Sequence, residues 1–141
     1  MTDSPQLTLS HAADPALHAL LARELVAFNS AMHGPANMQP LTITIPDAEG
    51  QAIGGLSGRT VFGWLFVELL FVPDSLRGHG MGDRLLTMAE EEARARGCTG
   101  VWLDTLNPAA RAFYQRRGYA PFGELPNCPG SNSRVFLSKT L

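Results

Sequence analysis

Three stretches of this chain carry residue types that could do chemistry. The first is Arg77-Gly78-His79-Gly80-Met81-Gly82, with glycines at alternate positions. Such spacing lets the main chain approach a ligand closely, and the unpaired N–H groups of a helix starting there would point at an anion such as a phosphate. The second is Glu68, the single ionisable residue in the twelve-residue apolar run Val61 to Val72. Burial would lift its pKa toward the range of a general base; a buried glutamate satisfied by an arginine or by backbone is the other reading. The third runs from Asn107 to Tyr119, where Ala110 and Tyr114 are one turn apart and share a helix face. On residue type alone, Tyr114 reads equally well as an aromatic core residue with a satisfied hydroxyl.

Other chemistries fail on spacing. A phosphate-binding P-loop needs Lys and then Ser or Thr after its last glycine, but Asp83 and Arg84 stand there. A dinucleotide fingerprint would put its third glycine where Asp83 is, and a second βαβαβ half is missing. The histidines at 11, 18, 33 and 79 and the two cysteines, Cys98 and Cys128, show no metal-ligand spacing and are too few for a disulfide framework. No metal is expected. Cys98 is expected in the core, and Cys128 has no histidine near it in sequence to activate it.

The elements that must position these residues follow from periodicity and breakers. Leu7 to Ser10 reads as a short strand. Asp14 caps a helix with Leu17, Leu20, Leu21, Leu25 and Val26 at helical spacing, and the stretch His33 to Asn37 ends it. Leu41 to Ile45 and Ala52 to Leu56 alternate around Asp47 to Gly50 and predict a hairpin. Val61 to Val72 predicts a central strand, apolar on both faces. A helix over residues 80–96 follows, with Leu85, Leu86 and Ala89 inward, Glu90-Glu91-Glu92 mostly solvated, and Gly97 at its end. Gly100 to Asp104 is a buried strand, and Pro108 opens a short helix that Asn107 or Thr105 caps. Two last strands, at residues 119–122 and 134–137, complete an α/β arrangement with mixed pairing and no second domain. Phe113, Tyr119, Trp64 and Trp102 are assigned to packing.

Composition sets outer bounds. A chain of 141 residues with 45% hydrophobic and 17% charged residues has room for one domain with its own core. A formal charge of -2 lacks the footprint of a nucleic-acid binder. The start, Met1 to Pro5, has no basic region backed by an apolar run, and the longest apolar stretch is too short to span a bilayer. The expectation is a cytoplasmic domain over residues 1–141 with no membrane partner. Residues 1–70 carry two basic and six acidic side chains, and residues 71–141 carry nine and seven. That split would suit an anionic ligand on the C-terminal half and a cationic one near the N-terminal half.

The glycine loop resembles the Q/R-x-x-G-x-G/A signature of the GNAT acyl-CoA-dependent N-acetyltransferases. Leu70-Phe71-Val72-Pro73 is similar to that family's lead-in strand, and Leu85-Leu86 with Ala89-Glu90 to the helix that follows. Downstream, Asn107, Ala110, Phe113-Tyr114 and Gly118-Tyr119 match the second signature, N-x-x-A-x-x-F-Y-x-x-x-G-[FY]. The resemblance implies a central mixed, mostly antiparallel sheet flanked by helices, with acyl-CoA bound at a splay beside the central strand. It implies acetyl transfer from acetyl-CoA, as co-substrate, to a primary amine. Amides around Gly78, Gly80, Met81 and Gly82 would hold the pyrophosphate, with His79 as loop surface and Arg77 and Arg84 near the phosphates. The main chain of Leu70 and Val72 would pair with the pantetheine arm, with Asn107 hydrogen-bonding it and Ala110 and Tyr114 on the facing helix. Tyr114 would protonate the leaving thiolate. Glu68 stands where several family members carry their base.

The acceptor is not carried over. Family members have a second helix between the first two strands, reduced here to the loop over residues 33–40. Small-molecule and peptide amines are both open, and a homodimer is compatible with the sequence. A non-catalytic acyl-CoA sensor on the same fold is the rival, and the presence of both Glu68 and Tyr114 favours an enzyme.

Overall fold

The computed structural model describes residues 3–141. The chain divides into two compact units, one ending at Ala36 and one from Asn37 to Leu141. In the first, helix α1, Pro15–His33, begins as expected: Asp14 accepts a hydrogen bond from the Leu17 amide at 2.9 Å, and Pro15 opens the first turn. Gly34, at φ +86°, ends it. The strand expected at Leu7 to Ser10 does not form. Leu7 and Leu9 are almost fully exposed, and among the described residues no strand neighbours them to satisfy a ladder.

The second unit is a six-stranded sheet with two helices. In chain order it runs β1 Gln39–Pro46, β2 Ala52–Val61, β3 Trp64–Phe71, a single 3₁₀ turn at Asp74–Leu76, α2 Met81–Ala95, β4 Gly100–Thr105, α3 Pro108–Arg116, β5 Ala120–Pro126 and β6 Ser133–Thr140. The spatial order is β1-β2-β3-β4-β6-β5. Every neighbouring pair is antiparallel except β3 with β4. The β1–β2 turn is fixed by Asp47, whose Oδ1 accepts from the amides of Glu49 and Gln51.

The expected strand from Val61 to Val72 is corrected at its start. Phe62 and Gly63 both have positive φ, +49° and +77°, and form a two-residue hairpin turn. Val61 therefore closes β2, and β3 starts at Trp64. Phenylalanine is an unusual turn residue, so the break hid inside an apolar run.

One face of the sheet carries the core. Leu65, Val101, Leu103 and Leu137 are fully buried there against Leu86 of α2, with Ala89 and Ala93 letting the helix approach closely. Burial of each such leucine stabilises by about 1.5–3 kcal/mol. Tyr114 and Tyr119 belong to the same cluster, so α2 and α3 share one side of the sheet. Among the described residues no helix is long and apolar enough to cross a membrane.

Candidate functional site

The site begins where the sheet stops being continuous. Strands β3 and β4 pair over three rungs only, Trp64 with Gly100, Leu65 with Val101 and Phe66 with Trp102. Beyond Phe66, β3 keeps β2 as its neighbour and loses β4. Backbone groups pointing away from β2 on this stretch are left for another extended chain.

Glu68 sits at that opening as the extra residue of a β-bulge. The β2 register steps from Ser57–Leu69 to Gly58–Val67 and skips Glu68. A side chain at Gly58 would collide with the Phe66 carbonyl, so glycine permits this close approach. The phase of the strand changes across the bulge: Leu65 and Val67 face the core before it, Leu70 after it, and Leu69 and Phe71 are turned to solvent. The expected burial of Glu68 is therefore corrected. Its side chain is 53% exposed and lies 3.5 Å from Arg59 on β2. An arginine does pair with it, as a buried glutamate would require, but the pair lies at the surface.

The glycine loop follows the open edge. Gly78 and Gly80 have φ of +79° and +74°, a region costly for residues with a Cβ. Gly80 is the N-cap of α2 and supplies no side chain, so the amides of Met81, Gly82 and Asp83 have no intrahelical acceptor. They form a positive helix end suited to an anion. Gly82 serves a different need: a Cβ there would lie 3.2 Å from the Phe113 ring, so its absence lets α3 pack against α2. His79 is exposed on the loop and Met81 packs against the core. Arg77 is committed to the loop itself, its Nε donating to the Val72 carbonyl at 2.9 Å and its guanidinium paired with Asp74. One of the main-chain groups expected to meet pantetheine, the Val72 carbonyl, is thus already engaged.

Helix α3, packed against α2 through Phe113 and Gly82, carries the next candidates. Asn107 caps it by accepting from the Ala109 amide at 2.9 Å, which leaves the side-chain NH₂ as a donor. Ala110 is half-buried and packs against the core. Tyr114 is 7% exposed, and burial, assisted by the negative charge of Asp104, pushes its pKa above the ordinary phenol value. It stays protonated at neutral pH and can donate.

Tyr119 is distinguished from Tyr114 by its partner. Its hydroxyl donates to Glu90 Oε2 at 2.9 Å, and burial together with that carboxylate drives its pKa far upward. Among the described residues the Tyr114 hydroxyl has no such acceptor.

Glu90 is the residue that sequence reasoning missed. Expected in solvent, it is 3% exposed, with Lys139 Nζ at 2.7 Å and an Arg117 nitrogen at 3.3 Å. Burial alone would raise its pKa, but hydrogen bonds from Lys139 and Tyr119 and the charges of Lys139 and Arg117 outweigh it and the value falls. Arg117 also holds Asp83 in the first turn of α2 at 2.9 Å. The signal was in the spacing: position 90 continues the inward stripe of residues 85, 86, 89 and 93.

The remaining candidates fall outside the site. Cys98 is partly buried, and burial raises its thiol pKa against the weaker pull of Arg96. Among the described residues no group of His, Cys, Asp or Glu is arranged to hold a metal.

This geometry has relatives. Residues 13–119 match the model of the Acetyltransferase (GNAT) family. The chain is 44% identical over 131 residues to acetyltransferase Atu2258 of Agrobacterium fabrum, covering 93% of this chain and 96% of that one. It is 40% identical over 93 residues to blasticidin-S acetyltransferase of Streptomyces morookaense, covering 65% and 68% of the two chains. A crystal structure from Agrobacterium tumefaciens, described as an acetyltransferase, superposes with a TM-score of 0.92 at 42% identity, covering 97% of this chain and all of that one.

Proposed function

Because the chain belongs to the acetyltransferase (GNAT) family, we propose that it transfers an acetyl group from acetyl-CoA to a primary amine by direct attack in a ternary complex. The observation that carries this reading is the opening of β3 from β4 after Phe66, with the glycine loop following β3 and Tyr114 buried on α3, which packs against α2. The free amides of Met81, Gly82 and Asp83 supply the charge complement for a pyrophosphate. The β3 edge through Leu70 supplies ladder partners for the amides of a pantetheine arm. The Asn107 NH₂ is a further donor on that path.

The chemistry assigns one role to each remaining group. The amine nitrogen forms the new C–N bond as the thioester C–S bond breaks. Tyr114 gives its proton to the departing sulfur, which needs a protonated donor in a dry setting. Glu68 takes the ammonium proton, directly or through water, from the bulge that turns it toward solvent. A lysine-like amine has a pKa of about 10.4, so this proton must leave before attack at neutral pH. The matched span crosses from the first unit into the second, which supports reading residues 1–141 as one transferase domain. A relative named for blasticidin S favours a small-molecule acceptor over a peptide.

Calorimetric titration with acetyl-CoA, paired with thiol release over a panel of amines, tests the reading. Gly80→Val places a β-branched residue at φ +74°, so the loop must leave its present shape. Acetyl-CoA affinity should fall at least tenfold. Unchanged affinity in a folded variant would remove the glycine loop from the binding site.

A further inference from the structure

The sheet face turned away from α2 and α3 carries a row of aromatic side chains that lie outside the buried core. Trp64, Trp102, Phe122 and Phe136 line a concavity of about 460 Å³, with Ser138 as its polar member. Trp64 lies over Gly100, where any side chain would collide with its ring. Trp102 stacks on Phe66 at 3.9 Å between centroids and 10° between planes. Trp64 remains 37% exposed and Phe122 60%. Aromatic rings grouped on one sheet face with part of their surface in water are suited to receive a ligand.

Its position ties it to the transfer site. Phe66 and Trp102 form the last rung before β3 and β4 separate. Two residues further along each strand stand Glu68 and Asp104, each with an arginine partner, Arg59 at 3.5 Å and Arg134 at 2.8 Å. At about 3.3 Å per residue, the carboxylates lie roughly 7 Å beyond the stacked pair. Such a span suits a flat ring on a short linker to an amine. The lining argues against other acceptors. Four aromatic rings and one hydroxyl offer stacking surface to a flat ring, and no carboxylate in the lining is placed to meet the further ammonium groups of a polyamine.

We propose that this aromatic concavity is the acceptor subsite and that it takes the planar ring of an arylalkylamine-like substrate. The inference rests on the acetyl-transfer reading above and names the class of its acceptor. Both tryptophans of the chain line the concavity, so intrinsic fluorescence reports ring binding without any turnover. The probes are 2-phenylethylamine and 2-cyclohexylethylamine, which share a linker and a carbon count and differ in the flatness of the ring.

The phenyl compound should perturb tryptophan emission and show a KM about three- to tenfold below that of the cyclohexyl compound, the range that aromatic stacking supplies. Phe122→Ala, at the exposed rim, should bring the KM ratio toward one. Equal KM values for the two amines in the unaltered protein would overturn the proposal. So would unmoved emission while phenylethylamine is acetylated. A dimer whose dissociation on dilution shifts the emission would also overturn it, because a second copy would then cover the face. Ring binding without transfer to any amine would support the aromatic subsite and count against the acetyl-transfer reading instead.

Discussion

Replacing Glu90 with glutamine tests whether the buried charge cluster holds the two site helices in register. Glu90 on α2 receives hydrogen bonds from Lys139 on β6, Tyr119 after α3 and Arg117 at the end of α3. Glutamine keeps the shape and removes the charge. Its oxygen can still accept from Tyr119, and Arg117 keeps Asp83, but Lys139 loses its anion. Breaking a buried pair costs about 3–5 kcal/mol. Lys139 and Arg117 both reach partly into solvent, so the lower end, about 3 kcal/mol, is expected here. At roughly 3 °C per kcal/mol for a chain of this size, the melting temperature falls by about 9 °C. Urea unfolding at neutral pH reads the same loss directly. The acid side gives a second check. The folded-state pKa of Glu90 is lowered, so its contribution is complete above the unfolded carboxylate value, about 4.3, and is lost as pH falls toward the folded value. The gap between the two proteins should therefore narrow below that pH. Asp83→Asn, at an exposed carboxylate, should cost under about 1 kcal/mol. A loss for Glu90→Gln no larger than this control would refute the reasoning.

Two further outcomes follow from the site. Tyr114→Phe keeps the ring packing and deletes the proposed proton donor, so turnover should fall by about 10²–10⁴-fold while calorimetry finds acetyl-CoA affinity nearly unchanged; full turnover would make Tyr114 a core residue only. Glu68→Gln should slow the reaction near neutral pH and recover partly in alkaline solution as the free-amine fraction grows, a trend that a pH–rate profile on one accepted amine records. An unchanged profile would transfer the role of base to another group or to solvent.

Much of the fold was legible because its signals are local. Asp14 and Asn107 as N-caps, the Asp47 turn, the glycine stops and the inward stripe of α2 each depend on residues within a few positions of one another. The glycine loop was legible for the same reason: its positive φ values require the residue type the sequence displays. Failures came where geometry depends on a neighbour distant in sequence. Leu7 to Ser10 has the composition of a strand and, among the described residues, no partner to pair with. Trp64 over Gly100 and Trp102 on Phe66 do pack, as their type suggests, but that they also line one open concavity with Phe122 and Phe136 depends on strands far apart in sequence.

Glu68 and the two tyrosines show why the site was harder to read than the fold. An apolar run on both faces conceals a change of phase, because leucine and phenylalanine occupy positions before and after the bulge alike. Glu68 is the inserted residue, so it lies at the surface where an interior position was expected, and its candidacy as a base rests on placement beside the splay instead of on burial. The tyrosines pose the inverse problem. Tyr114 and Tyr119 are five positions apart in one motif and both are buried. What separates them is Glu90, nearly thirty residues upstream of Tyr119, which accepts the hydroxyl of Tyr119; among the described residues that of Tyr114 has no such acceptor. A carboxylate that stabilises the fold thus also selects which phenol is free to donate.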